Sequence, residues 1–120
     1  MAQNFNDLRI WQLAEQLVIK IYKITADFPK EETYNIVSQL RRAALSIPTN
    51  IAEAHGRYHD AETIHFLYNA RGSAEEVRSL LMSALDLGYI EKRTLDNLNE
   101  EYLSLIISIN SFIKAIRKTD

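Results

Sequence analysis

Apolar residues recur along most of the chain in steps of three and four, the spacing that places side chains on one face of an α-helix. This pattern predicts four long helices, over residues 8–28, about 34–55, about 60–87 and from about 94 onward. The stripe of the first helix consists of Ile10, Ala14, Leu17, Ile21, Ile24 and Phe28. Because the connections between the helices are short, consecutive helices should be antiparallel neighbours. The sequence therefore predicts an all-α fold, an up-down-up-down antiparallel four-helix bundle that forms one domain over residues 1–120.

Two residues interrupt this helical pattern. Pro48 lies inside the second predicted helix, where it removes a backbone hydrogen bond and clashes with the carbonyl of Ala44, at a cost of roughly 3 kcal/mol. The apolar stripe keeps its phase across Pro48, so we expect one proline-kinked helix rather than two short ones. Gly72 lies among small residues inside the third predicted helix, which predicts that a neighbouring backbone, at the Pro48 kink, approaches closely there.

Composition narrows the class of protein. The 120 residues include no Cys, which excludes disulfides and thiolate metal sites, and only 3 Gly and 2 Pro, which leaves little room for many short strands. The first residues do not form a charged segment followed by an apolar one, as a secretory signal requires, and no apolar run is long enough to span a bilayer. We therefore expect a cytoplasmic protein without a membrane partner.

The first and fourth predicted helices are apolar over more of their circumference than one side of a four-helix core can absorb. The additional apolar residues are Trp11, Val18 and Tyr22 in the first helix and Ile106, Ile107 and Ile113 in the fourth. Excess apolar surface usually marks an interface, so we expect a homo-oligomer. The alternative is a monomer with partly exposed Leu and Ile side chains, which are common on ordinary surfaces.

Two segments, 38–57 (SQLRRAALSIPTNIAEAHGR) and 66–76 (FLYNARGSAEE), resemble the four-helix-bundle family first found as open reading frames in intervening sequences of bacterial large-subunit ribosomal RNA genes. That family is filed among the ribosomal proteins. Shorter matches follow in order along the whole chain, namely Trp11-Gln12, Ile21-Tyr22, Phe28-Pro29, Arg41-Arg42, Ser46-Ile47-Pro48, Asn50-Ile51-Ala52-Glu53 and Ala70-Arg71-Gly72-Ser73.

The resemblance implies a bundle that associates into a ring-like homopentamer. It also implies kinship to the accessory protein of diversity-generating retroelements, which works with a reverse transcriptase and RNA. That accessory protein is strongly basic, whereas this chain has a formal net charge of −2. Any binding of nucleic acid should therefore use a local basic patch.

Polar residues of the matching segments form the first candidate site. This polar motif cluster consists of Arg41, Arg42, Asn50, Glu53, Arg71, Ser73 and Glu75. On antiparallel second and third helices these side chains could meet near Pro48. They would then form either a ligand or RNA site, or a polar network that holds the kinked helix against the small residues of the third.

A basic end of the bundle is the second candidate site. Antiparallel packing should collect the candidate nucleic-acid-binding residues at one end, namely Arg9, Arg57, Tyr58, Lys114, Arg117 and Lys118. Cations there could hold RNA phosphates while Tyr58 stacks on a base. The alternative is a solvated helix terminus, because cations near the end of a helix interact favourably with its dipole.

Motifs of known enzymes are absent from the sequence, which has no Gly-rich phosphate loop, no G-x-S-x-G, no H-E-x-x-H and no Cys nucleophile. His55 and His59 have the spacing that lets two ligands share a metal on one helical face, but Gly56 interrupts the helix between them. We predict no catalytic residue, metal or cofactor. The expected function is a non-enzymatic, homo-oligomeric interaction module, an adaptor for RNA or a nucleic-acid enzyme. The alternatives are direct RNA binding through the basic end and, less favoured, a metal-dependent hydrolase.

Overall fold

A computed structural model describes residues 4–118, and every regular element in that range is helical. The four long helices are α1 (Arg9–Thr25), α2 (Ser38–His55), α3 (Asp60–Asp86) and α4 (Lys92–Lys118). Short turns of 3-10 helix, Phe5–Asp7 and Lys30–Glu32, precede α1 and α2. The predicted all-α fold with four helices is confirmed.

Each long helix packs against two others, α1 against α2, α2 against α3, α3 against α4 and α4 against α1, so that the bundle closes on itself. It is elongated, with extents of 47 × 23 × 20 Å. The apolar stripes predicted from the sequence form the core, and Ile21, Leu40, Val77 and Tyr102 are fully buried. The hydroxyl of Tyr102 has no hydrogen-bond partner among residues 4–118.

Helix α2 continues without interruption through Pro48, as the phase of its stripe predicts. Two side chains bind carbonyls of the turn that the proline ring disturbs. The hydroxyl of Thr49 donates to the carbonyl of Leu45 at 2.9 Å, and the amide of Asn50 donates to the carbonyl of Ser46 at 2.8 Å. Neither acceptor is the carbonyl of Ala44, which loses its N–H partner to the proline, so these bonds support the turn around Pro48 without replacing the missing bond.

The beginning of α2 differs from the prediction. Residues Thr33–Val37 form a single π-type turn, and regular α-helix begins only at Ser38 rather than at about residue 34. Within this turn Asn35 has non-helical dihedral angles, φ −116° and ψ −111°. Its side-chain amide donates to a carboxylate oxygen of Glu32 at 3.2 Å. The same amide donates to the backbone carbonyl of Glu31 at 3.5 Å. Asparagine side chains compete through such bonds with the helical hydrogen bonds of the backbone, which explains the irregular start.

The expected close approach at Gly72 is wrong. A Cβ atom built on Gly72 meets nothing within 4 Å, and the residue is exposed to solvent. The small residues that pack inward are instead Ala70 and Ala74, both fully buried.

Gly88 ends α3 as predicted. Its φ of +80° lies in the left-handed region, its N–H donates to the carbonyl of Leu85, and the N–H of Tyr89 donates to the carbonyl of Ala84 at 2.8 Å. This pair of bonds is the Schellman motif, in which glycine avoids the steric cost that a side chain would meet.

Candidate interaction surfaces

Residues of the polar motif cluster separate into different places. Arg41 faces α1, where its Nε donates to the Thr25 hydroxyl at 2.9 Å and its Nη2 donates to the Tyr22 carbonyl at 3.2 Å. The guanidinium also lies 4.4 Å from the centre of the Tyr22 ring. The Tyr22 carbonyl also accepts from the Ala26 N–H at 3.2 Å, so Arg41 adds a charged donor to the last turn of α1, where a cation interacts favourably with the helix dipole. The neighbouring Arg42 is exposed.

Asn50 and Ser73 lie between α2 and α3. The hydroxyls of Ser46 and Ser73 are 2.9 Å apart, and the amide of Asn50 also donates to the Ser46 hydroxyl at 2.9 Å. These three side chains therefore form a continuous hydrogen-bonded link between the two helices, and Ser46 and Asn50 lie on either side of Pro48 in the sequence. The link satisfies its own polar groups, as a structural network requires.

The other motif residues bind elsewhere. Arg71 faces α4, where its Nη1 donates to Asn110 at 2.7 Å. Glu75 pairs with Arg78 at 2.5 Å, and Glu53 pairs with Arg57 at 2.7 Å. The structure thus distributes the seven residues over three helix interfaces and the solvent and does not bring them together into one pocket.

At the predicted basic end, residues of all four helices line a cavity of about 190 Å³, among them Ile10, Ile51, Leu67 and Phe112. Arg57 is the one predicted nucleic-acid-binding residue in this lining.

Two of the predicted cations at this end are engaged with neighbouring side chains. Arg57 pairs with Glu53 and lies 4.5 Å from the centre of the Phe66 ring. Arg117 donates to the hydroxyl of Tyr68. The remaining predicted residues are exposed, namely Arg9, Tyr58, Lys114 and Lys118.

An apolar hollow lies on the outside of the bundle between α1 and α2. We call it the α1/α2 hollow; its volume is about 470 Å³ and its lining consists of Val18, Ile19, Tyr22, Lys23, Ala26 and Leu45. Ile19 is 52% exposed and Leu45 is 43% exposed.

A second apolar surface lies on α4. Leu103 and Ile107 are one helical turn apart, and Ile107 is 64% exposed; we call this pair the α4 ridge. Leu103 follows Asn99 by one turn, and Asn99 accepts a hydrogen bond from Arg78 of α3. The ridge therefore lies on the α3 side of α4. In a bundle whose helices follow one another around a closed ring of contacts, the α3/α4 side is opposite the α1/α2 side.

These surfaces bear on the predicted excess of apolar residues. Ile106 and Ile113 of α4 and Val18 of α1 are buried, so the core absorbs part of the excess. Sequence reasoning missed Ile19, Leu45 and Leu103. The signal that identifies them is an apolar residue out of phase with the buried stripe of its own helix.

A wider groove separates α1 from α4, with a volume of about 710 Å³ and an apolar floor that includes Leu13, Leu17 and Leu98. An ion pair between Lys20 and Glu101, at 2.6 Å, joins its two walls. The pair is exposed on both sides, so it contributes little to stability. The pair shows that Lys20 of α1 and Glu101 of α4 lie at the same height along the bundle.

No group of three His, Asp or Glu side chains within residues 4–118 is placed to hold a metal ion. In the same range, no helix is both long enough and apolar enough to cross a lipid bilayer.

Known proteins are similar to this chain in sequence family and in fold. The model of the family described as 23S rRNA-intervening sequence protein matches residues 6–111. A crystal structure of a protein of unknown function from the S23 ribosomal protein family of Bacteroides thetaiotaomicron VPI-5482 is similar to the bundle, with a TM-score of 0.79. The two proteins are 22% identical, and the match covers 88% of this chain and 98% of the other. No curated protein matches the chain.

Proposed function

Because this chain belongs to the 23S rRNA-intervening sequence protein family, we propose that it is a non-enzymatic interaction module that assembles with copies of itself into a ring of five. In this proposal the ring acts as an adaptor for RNA or for an enzyme that works on nucleic acid, such as a reverse transcriptase.

The observation that carries the proposal is the exposure of aliphatic side chains on two opposite sides of the bundle. Ile19 and Ile107 each leave more than half of their surface in water. Full burial of such a side chain is worth roughly 1.5–3 kcal/mol, so each gains about half of that when a partner covers it. Single exposed aliphatic residues are ordinary, but here each belongs to a continuous apolar surface.

The family resemblance supports the number five. Two different surfaces on one protomer allow a head-to-tail contact, which closes into a ring when the rotation between neighbours divides a full turn. An assembly of this kind needs no catalytic group, and it presents five copies of any binding surface to a partner. Repeated weak contacts then combine into strong binding.

The native mass at micromolar concentration tests the proposal. Light scattering coupled to size exclusion should give a mass close to five times that of the 13.9 kDa chain. A monomer would overturn the proposed module, and a different closed oligomer would retain the module while it removes the pentamer.

Direct RNA binding through the basic end is a second candidate, favoured by one observation. Tyr58 is 92% exposed, next to Arg57, and its ring is held edge-on by His59 at 5.0 Å between centres. An aromatic ring so fully in water is a suitable platform for an unstacked base.

Charge reversal at Lys114 and Lys118 tests this candidate, because neither side chain is buried. In anisotropy titrations of a labelled single-stranded RNA, the double change to Glu should weaken binding and should reduce the slope of log K against log salt by roughly 1.4. The matched control is Lys30→Glu with Arg93→Glu, which makes the same charge change at the other end. Equal loss in both double variants would show attraction by net charge alone and would reject the site.

A further inference from the structure

The α1/α2 hollow is concave and almost entirely apolar, and Lys23 is the charged residue in its lining. Arg42 is exposed and lies one helical turn from Leu45 on the outer face of α2. The hollow therefore has an apolar centre with positive charge on the side that points toward the carboxyl end of α1.

The α4 ridge has the complementary shape. Ile107 is exposed on α4, with Leu103 beside it one turn earlier. Glu100 is exposed and lies within one turn of Leu103, toward the amino end of α4. The ridge therefore has an apolar centre with negative charge on the side that points toward the amino end of α4.

The two surfaces also match in height along the bundle. The Lys20–Glu101 ion pair places those two residues at one level of the antiparallel helices. At a rise of about 1.5 Å per residue, Ile19 lies about 1.5 Å from this level, Leu103 about 3 Å and Ile107 about 9 Å, all toward the basic end. Lys23 and Glu100 lie about 4.5 Å and about 1.5 Å from it in the opposite direction. Apolar residues and charge thus follow in the same order along the bundle on both sides of the molecule, and Leu103 is the ridge residue closest in height to Ile19.

This arrangement favours one mode of self-association over the others. If a hollow met a hollow across a two-fold axis, two concave surfaces that each carry Lys23 would face one another, and two ridges would likewise bring together the carboxylates of Glu100. When all protomers point the same way, as in a cyclic ring, a ridge meets a hollow, and Lys23 and Glu100 differ in height by only about 3 Å.

We propose that copies of this chain dock head to tail, with the α4 ridge of one protomer filling the α1/α2 hollow of the next and all bundles pointing in the same direction. The inference rests on the proposed oligomer and names its interface. It assigns the aliphatic contact to Ile107 and Leu103 on one side and to Ile19 and Leu45 on the other.

A mixing experiment with two variants tests the pairing. Ile19→Glu alters the hollow only, and Ile107→Glu alters the ridge only; both positions are exposed, so the fold should persist, as a helical far-UV circular dichroism spectrum can show. Each variant alone should give a monomer by light scattering. An equimolar mixture should give a dimer of twice the 13.9 kDa chain mass and nothing larger, because one intact hollow and one intact ridge remain.

The matched control is Leu87→Glu, which introduces the same charge at a side chain that is 56% exposed and lies off both surfaces. This variant should keep the native mass of the wild type. If a Glu variant loses its helical spectrum, Ile19→Ser and Ile107→Ser provide the same mixing test.

The outcomes separate the inference from the proposed function. The head-to-tail interface would be overturned if either surface variant kept the wild-type mass, or if the mixture stayed monomeric. In both cases an oligomeric wild type would still support the proposed module. A monomeric wild type would overturn both. A dimer that forms only in the mixture would support both.

Discussion

Replacement of Tyr102 by Phe should make the protein more stable. Tyr102 is 0% exposed, and its hydroxyl has no hydrogen-bond partner within residues 4–118. A buried hydroxyl without a partner costs roughly 1–3 kcal/mol, whereas loss of one oxygen atom leaves only a small void. We therefore expect Tyr102→Phe to raise the free energy of unfolding by about 1 kcal/mol at neutral pH.

The same substitution should remove a dependence of stability on pH. Burial, and next the charge of Glu101, raise the pKa of Tyr102 above its ordinary value of 10.0. The stabilising contribution of the neutral phenol is fully present below pH 10 and is lost as pH rises toward the folded-state pKa, because only the unfolded chain then releases the proton. At pH 10 half of the unfolded chains have already released the proton, so the advantage of the Phe variant should grow by about 1 kcal/mol between pH 10 and pH 11 and by about 1.4 kcal/mol for the next pH unit.

Urea denaturation followed by far-UV circular dichroism, at one protein concentration, measures both effects as differences between the two proteins. Tyr89→Phe is the matched control, because the Tyr89 hydroxyl donates to Glu32 at 2.5 Å and its loss should destabilise the fold. If Tyr102→Phe instead lowers stability at neutral pH, the hydroxyl has a partner in the folded state and the reasoning is refuted.

Two further substitutions test the local features of the bundle by the same denaturation assay. Asn50→Ala should lower the free energy of unfolding by about 1 kcal/mol, because its bonds to Ser46 are lost. The control Asn69→Ala, on the exposed face of α3, should change it little. Equal effects of the two substitutions would show that the link beside Pro48 does not stabilise the fold. Gly88→Ala should lower the free energy of unfolding by about 1 kcal/mol, because the φ of Gly88 is +80°. Gly72→Ala, at an open helical position, should raise it by roughly 0.5–1 kcal/mol. The opposite signs would contradict the role of Gly88 in ending α3.

The number of helices, their stripes and the passage of α2 through Pro48 are predictable because they follow from periodicity within one helix. The mistaken role of Gly72 could have been avoided on the same basis. Gly72 is two residues from both Ala70 and Ala74, and two residues correspond to about 200° around a helix, so it cannot share their buried face. The late start of α2 is harder to foresee, because it depends on a side-chain bond of Asn35 to a carboxylate that precedes the helix.

The polar motif cluster shows where sequence reasoning ends. Arg41 and Asn50 lie on the same helix but face α1 and α3 respectively, while Arg71 on α3 faces α4. Periodicity tells which residues share a face, yet the neighbour that each face meets depends on the way the chain turns around the bundle. The arrangement of neighbouring helices is set by tertiary packing and not by the periodicity of one helix. The hollow has the same origin, since it combines residues of α1 and α2 that no single stripe connects.

Cysteine cross-linking tests the head-to-tail assembly most directly, because the chain contains no Cys of its own. A variant with both Ile19→Cys and Ile107→Cys, treated with a short bismaleimide, should give a ladder of covalent species on a denaturing gel that ends at the size of the complete ring. Each single-Cys variant should stay at the size of one chain, since like positions do not meet in a head-to-tail contact. Efficient covalent dimers from either single variant, or no ladder from the double variant, would contradict the account.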